Sequence, residues 1–356
     1  MRQKCYLIRK EHVPARAKYP VIDAHNHLWG AWKKVADIVS VMNRTGVRLY
    51  CDLTANVAIK MAKGGYILGH GNIEHFFDNA ARRYPGRFYC FTTANFARPT
   101  AQPLFTSASR FVDETIKLLR EHVKRGALGL KVLKELGLHY RDGRGKLIPC
   151  DDERLAPIWE EAGKLSIPVL IHQSDPLGFF EPITPENEHY ESMRKYSSWS
   201  FADRRFPRKA ELIKRRDRLV KRHPGTTFIL PHVANYPEDL AYVGALLDKC
   251  PNVFIDFSAR CDELGRQPYT ARNFLIKYQD RILFGTDMPA TVDMYRFYFR
   301  FLETYDEYFV PPDYDGTFKR FRWHVHGLGL PDCVLKKIYQ ANALRVIPNL
   351  KKLFKV

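Results

Sequence analysis

The segment Val21-Ile-Asp-Ala-His-Asn-His-Leu28 carries two histidines one residue apart. In an extended strand, side chains at i and i+2 leave the same face. His25 and His27 therefore stand side by side, with Asp23 two positions ahead of them. Two imidazoles held that way can clasp one divalent ion. Such a pair also arises by chance, so its meaning rests on what the rest of the chain brings beside it.

The elements that must do this are legible as a rhythm. Short apolar runs at 21–28, 47–53, 88–95, 127–133, 167–173, 227–233, 253–258 and 281–287 read as strands. Between them lie helical periods, among them 31–46, 72–84, 111–125, 151–165, 238–249 and 271–278, with terminal helices at 331–353. Gly126 closes the third of these periods, and Asp151-Asp152 suit the start of the fourth. This alternation argues for an α/β protein with a parallel sheet. Eight units in about 300 residues argue for a closed (β/α)8 TIM barrel rather than an open sheet. No Gly-x-Gly-x-x-Gly follows the first strand, as a dinucleotide-binding open sheet would require. Without a flexible linker, residues 1–356 read as one domain, the barrel covering about 20–345.

In such a barrel the chemistry lies where strands end and their loops begin. The first strand ends with His25 and His27, the fourth with Lys131, the fifth with His172, the sixth with His232 and the eighth with Asp287. These are metal-ligand and proton-transfer types, and imidazole with carboxylate suits zinc and similar divalent ions.

The same residues carry a resemblance. His25-Asn-His27, Ile171-His172, Pro231-His232 and Gly285-Thr-Asp287-Met-Pro289, with the ending Leu328-Gly-Leu-Pro through Ala343, resemble the metal-dependent amidohydrolase superfamily. The nearer likeness is to its amidohydrolase-related branch, which includes aminocarboxymuconate-semialdehyde decarboxylase, hydroxybenzoate-type decarboxylases and small lactone hydrolases. It spans about residues 20–348 and specifies no substrate. It implies that His25, His27, His172 and Asp287 hold one divalent metal ion, zinc before manganese or another. It also implies that His232 lies close by as a proton donor or acceptor. Asp287 could in addition take a proton from metal-bound water. In some superfamily members a lysine at the end of the fourth strand is carboxylated and bridges a second metal. Lys131 stands at the corresponding place, where it could equally bind a substrate carboxylate or pair with a neighbour, and Lys134 is a weaker candidate for those duties.

Further residues could shape a pocket. Arg260, just past the seventh strand, reads either as a contact for an anionic group or as a surface arginine. The long connection 174–208 holds Phe179, Phe180, His189, Tyr190, Trp199 and Phe201. It reads as an aromatic lid over the metal, or else as a packing arm. Trp29 and Trp32 could form another wall. Trp323-His324-Val-His326 is a second His-x-His, but no barrel strand presents it, so it reads as structural.

Composition bounds the function. A net charge of +18 favours an acidic small-molecule substrate. Much of it lies in Arg204-Arg-Phe-Pro-Arg-Lys209 and Lys214 to Arg222, read as an exposed basic helix. No nucleic-acid-binding motif accompanies it, so nucleic acid is not the expected partner. Seven scattered cysteines without a Cys-x-x-Cys pair, no apolar run of membrane-span length and a charged start point to the cytoplasm. A homodimer follows by analogy with the branch. The leading expectation is a metal-dependent hydrolase acting on a lactone, amide or similar bond. The alternative is a non-oxidative decarboxylase of an aromatic or muconate-like acid at the same site.

Overall fold

The structure, a computed structural model, describes residues 6–62, 65–312 and 323–354. The segment 1–5, with Cys5 and part of the charged start, lies outside them. Eight short parallel strands form the barrel: β1 (Val21–Asp23), β2 (Val47–Asp52), β5 (Phe88–Cys90), β6 (Leu130–Val132), β7 (Val169–Ile171), β8 (Phe228–Leu230), β9 (Val253–Asp256) and β10 (Ile282–Leu283). β1, β2 and β5 pair in one ladder, and β6 through β10 pair in sequence order in another. A parallel bridge between Thr92 and Leu130 joins the two ladders. On the other side the Ala24 amide donates to the Phe284 carbonyl (2.9 Å), linking β10 to β1. The expected (β/α)8 barrel is the observed fold.

The two-residue period of the strands sorts their side chains. Ile22, Leu49, Cys51, Tyr89, Leu170, Ile229 and Leu283 pack together inside the barrel. Ile347 and Leu350 of the terminal segment join that cluster. The alternate residues, among them Val21, Val47, Tyr50, Phe88, Val169, Phe228 and Ile282, pack outward in the larger core that includes the helices. Lys131 follows the inward parity, since its neighbours Leu130 and Val132 both face the outer core.

Three features depart from the sequence reading. Most strands are shorter than their apolar runs, and β8 ends at Leu230 rather than at Val233. An antiparallel hairpin, β3 (Val57–Ala62) and β4 (Gly65–His70), occupies a stretch that carried no prediction. Val57 and Leu68 pack with Trp29 and Leu133, so this hairpin stands beside the residues that follow His27. The helix Lys209–Arg222 is not merely a solvated basic face, because Lys209 and Arg216 are buried. No disulfide joins the described cysteines. Among the described residues, no helix is long and apolar enough to cross a membrane.

Candidate active site

Asp287 stands at the centre of the constellation. Its carboxylate lies 3.9 Å from His25 Nε2, 3.5 Å from His27 Nε2 and 3.8 Å from His232 Nε2. The backbone puts it there. After β10 the chain passes Gly285, and a Cβ on that residue would sit 2.6 Å from the His25 Cβ. Only glycine permits this approach, and the Asp287 amide then donates to the His25 carbonyl (2.8 Å). Buried Asp23 staples the same junction, accepting from Asn26 Nδ2, the Thr286 amide and hydroxyl, and the Tyr295 hydroxyl (2.7–3.1 Å).

His25 and His232 share one support. His25 Nδ1 meets Asp256 Oδ2 at 2.8 Å, and His232 Nδ1 meets the Ser258 carbonyl at 2.8 Å. The Ser258 hydroxyl reaches both Nδ1 atoms, at 3.0 and 3.1 Å, and donates to Asp256 Oδ1 at 2.6 Å. A carbonyl or carboxylate only accepts, so both rings carry their hydrogen on Nδ1 and a lone pair on Nε2. Both Nε2 atoms are buried without a hydrogen-bond partner. Their lone pairs face the Asp287 carboxylate. One ligand atom from each of His25, His232 and Asp287 lies within 4.8 Å of the others, a spacing that could hold a metal ion. Burial first, then the positive charge of Arg260 and the neighbouring histidines, keep His232 well below the usual histidine range.

His232 reaches this position through an unusual backbone. His232, Val233, Ala234 and Asn235 all have left-handed φ, between 52° and 58°. For L-residues each such position costs about 1–2 kcal/mol, and β-branched Val233 is the worst placed. The sequence reading extended the strand through His232 and Val233, because a pattern of apolar side chains does not reveal the sign of φ.

The remaining histidines flank the cluster. His27 Nδ1 lies 3.0 Å from the Thr54 hydroxyl, and its ring stacks on Trp29 at 4.4 Å. Burial, then Lys131 and the neighbouring histidines, hold it well below its ordinary value. His172 turns Nε2 to the Ser174 carbonyl (3.1 Å), which puts the ring hydrogen on Nε2 and leaves the lone pair on Nδ1. Its ring packs edge-on against His232 at 4.5 Å. Burial lowers His172 to about 4 against the opposing pull of Asp175. Asp175 also accepts from Lys134 Nζ (2.5 Å), so Lys134 holds a carboxylate of the chain itself.

Two buried cations border the cluster. Lys131 is 1% exposed, and burial brings it down to about 8 although Asp287 and Asp256 pull it up. Arg260 is 2% exposed, which removes the surface reading. Burial opposes its charge, but Glu263, Asp175, Asp262 and Glu238 hold it above the ordinary range. Its Nη1 donates to the Ala259 carbonyl (2.6 Å), while its Nε lies 3.9 Å from Glu263 Oε1 and makes no hydrogen bond among the described residues. Glu263 beside it is raised to about 8 by burial and by Asp262.

The segment 174–208 folds over short helices, Leu177–Phe180, Tyr190–Lys195 and Ser197–Trp199. Phe179 is buried, stacking on Trp199 (5.9 Å) and meeting His189 edge-on (5.0 Å). It packs with Leu138, Met193 and Leu212, so it serves the lid's own core. Trp32 packs against the main core. In the second His-x-His, His324 stacks on Tyr308 (3.9 Å) and His326 Nδ1 meets the Gly265 carbonyl (3.1 Å). Both serve packing, as expected.

Asp52, Thr54, Asp256 and Ser258 escaped the sequence reading. Each pair is spaced i, i+2 at a strand end, the same signal that singled out His25 and His27. Asp52 Oδ1 takes the Thr54 and Leu28 amides (3.1 and 3.2 Å), and burial raises this carboxyl to about 6.

Solved structures share this architecture. Dihydroxybenzoic acid decarboxylase from Polaromonas sp., with bound manganese and the inhibitor 2-nitroresorcinol, aligns over 95% of this chain and 98% of its own, with 16% identity and a TM-score of 0.54. The 2,6-dihydroxybenzoate decarboxylase from Rhizobium aligns over 94% and 99%, at 16% identity and TM-score 0.52. An uncharacterized TIM-barrel protein from Bordetella bronchiseptica covers 91% and 85%, at 15% identity and TM-score 0.52. At these identities the likeness concerns the fold. No curated protein matches the chain. The amidohydrolase family profile matches residues 22–348, which takes in every strand of the barrel but the first residue of β1, and all five residues of the histidine–aspartate constellation. The chain belongs to the amidohydrolase family.

Proposed function

We propose that this enzyme is a metal-dependent carboxy-lyase that removes carbon dioxide from a small aromatic or otherwise unsaturated carboxylic acid. The observation that carries this reading is Arg260, a buried guanidinium beside His232 whose Nε makes no hydrogen bond among the described residues and has only Glu263 Oε1 at 3.9 Å. A buried cation with an open donor suits a carboxylate. Lys131 adds a second buried positive charge, since a group titrating near 8 is mostly protonated at neutral pH. The decarboxylases that share the fold act on dihydroxybenzoates, and one of them holds manganese.

His25, His232 and Asp287 form the core of the proposed metal site, with His27 and His172 flanking it. The donor set fits zinc or manganese, because lone pairs on buried imidazoles converge on a carboxylate. A divalent ion bound there supplies a Lewis-acid centre that orients an acidic substrate. The chain's own residues do the rest. Arg260 and Lys131 bind the anionic group. With its hydrogen held on Nδ1 and its ionisation suppressed by burial, His232 acts through a lone pair, the acceptor side of the donor-or-acceptor role expected of it. The Asp287 side chain is 28% exposed, against 1–13% for the four histidines, so it exchanges protons with solvent most readily. It passes a proton to the carbon that bears the carboxylate. The bond to the carboxylate carbon then breaks, its electron pair returns to the substrate π-system, and carbon dioxide leaves.

The hydrolase reading keeps one observation in its favour: the same partly exposed Asp287 carboxylate could take a proton from a water that a divalent ion held by His25 and His232 would activate. Isotope labelling separates the two. Metal-loaded protein is incubated with hydroxybenzoates, unsaturated diacids, lactones and amides in H2(18)O. Carbon dioxide release with no (18)O in the organic product supports the carboxy-lyase. An (18)O-labelled acid from a lactone or amide, with no decarboxylation across the panel, restores the hydrolase.

A further inference from the structure

The helix Lys209–Arg222 owes much of its composition to charge, yet two of its cations are withdrawn from solvent: Lys209 is 3% exposed and Arg216 fully buried. Both end on the left-handed turn that carries His232. Lys209 Nζ donates to the Asn235 carbonyl (2.9 Å), and Arg216 Nη1 donates to the Ala234 carbonyl. Asp217 holds the Arg216 guanidinium in place (2.6 and 3.0 Å) and is itself tied to the Tyr242 hydroxyl (2.7 Å). The other end of the turn is fixed by the His232 amide, which donates to Asp256 Oδ1 (3.1 Å), and the Asn235 amide closes the turn on the Pro231 carbonyl (2.8 Å). Four consecutive left-handed L-residues do not persist unless their surroundings over-determine them.

We propose that Lys209 and Arg216 are positioning residues for His232: their donors clamp the carbonyls of the strained turn and so aim His232 Nε2 at the Asp287 carboxylate. Lys209 also donates to the Asp175 carbonyl (2.6 Å) and lies 3.4 Å from Glu238. Asp175 stands at the start of the lid segment and Lys209 directly follows its end. One ammonium group therefore ties both ends of the lid to the turn that bears His232. The histidine's orientation depends on the lid being seated. This inference rests on the proposed metal site only for its functional consequence, because the clamp is a property of the metal-free chain.

The test uses full-length Lys209→Met and Arg216→Lys, with Arg218→Met as the control. Arg218 lies on the exposed side of the same helix and pairs with Asp151. Two readouts are taken: the His232 ring resonances in metal-free protein, assigned by their loss in His232→Gln, and Mn2+ affinity by titration of the free-ion EPR signal. Lys209→Met and Arg216→Lys are expected to shift the His232 resonances and weaken Mn2+ binding about 10- to 100-fold, the range for outer-shell residues. Arg218→Met should change neither. Ala234→Gly, which takes positive φ without strain, should restore most of both readouts in either variant. Resonances and affinity like those of the parent in folded Lys209→Met and Arg216→Lys would overturn the proposal. So would failure of Ala234→Gly to rescue them. Should either variant not fold, Ala234→Gly alone decides: a strained turn gains thermal stability from the glycine, and an unchanged or lower melting temperature refutes the clamp. If the parent protein binds no Mn2+, the metal reading falls while the resonance shifts still judge the clamp.

Discussion

Gly285 and His25 touch so closely that a Cβ on Gly285 would lie 2.6 Å from the His25 Cβ and 3.1 Å from the His25 amide nitrogen. Neither obstacle is the far end of a flexible chain, so Gly285→Ala must move the backbone that presents His25. Because Asp287 hangs from the same junction through its bond to the His25 carbonyl, both side chains shift together. We expect the variant to fold, with a lower melting temperature and Mn2+ affinity reduced at least about tenfold. Calorimetric titration giving the parent's affinity would show that the close approach has no bearing on the site.

Asp256→Asn probes the shared support of His25 and His232. The amide cannot hold the His25 Nδ1–H as a carboxylate does, and it can place a hydrogen where the ring needs an acceptor. The expected result is a mixed His25 tautomer in the metal-free protein and a 10- to 100-fold loss of metal affinity. Nitrogen-15 spectra of the imidazoles check the tautomer directly.

Arg260→Met should raise KM for an acidic substrate about 10- to 100-fold, because a charge-assisted hydrogen bond contributes about 1.5–3 kcal/mol. The change in kcat should be smaller. A neutral ester or amide analogue should show no such KM effect, and equal losses for acid and analogue would remove Arg260 from substrate binding.

Activity should decline as pH rises through about 8. Lys131 and Lys209 both titrate there, each lowered by burial, and both are cations below that pH. Lys131→Met should remove much of the alkaline limb at the cost of a raised KM. For stability the sign is opposite. Between about 8 and 10.5 the unfolded chain keeps a proton that the folded one has released, so these groups make the fold more stable as pH rises through that window.

In metal-free protein, His172 should make the fold acid-sensitive. Its folded value of about 4 lies below the ordinary 6.5, so the unfolded state binds the proton first. Stability falls as pH drops from about 6.5 through 4, by roughly 3 kcal/mol from this group. His172→Gln should flatten that part of a pH series of urea melts, and an undiminished slope would assign the sensitivity elsewhere.

Much of the architecture was legible in the chain itself. The alternation of apolar runs and helical periods determined the barrel, since each strand must bury both faces and each helix one. Spacing at the strand ends located His25, His27, Lys131, His172, His232 and Asp287. What escaped was decided by contacts between distant segments. The hairpin β3–β4 has no helical counterpart to frame it, and its packing partners Trp29 and Leu133 come from other loops. The basic helix read as a solvated face because charge periodicity cannot show that Lys209 and Arg216 meet backbone carbonyls at Asn235 and Ala234. Phe179 and Trp32 read as pocket walls because aromatic residues look alike whether they line a cavity or fill a core. The ionic character of the site belongs to the tertiary structure as well. The sequence specifies which groups can bind a proton or a metal. Burial and the Nδ1 partners at the end of β9 and just past it decide which nitrogen of each ring carries the hydrogen, because a tautomer is set by the acceptor that the folded chain places beside it.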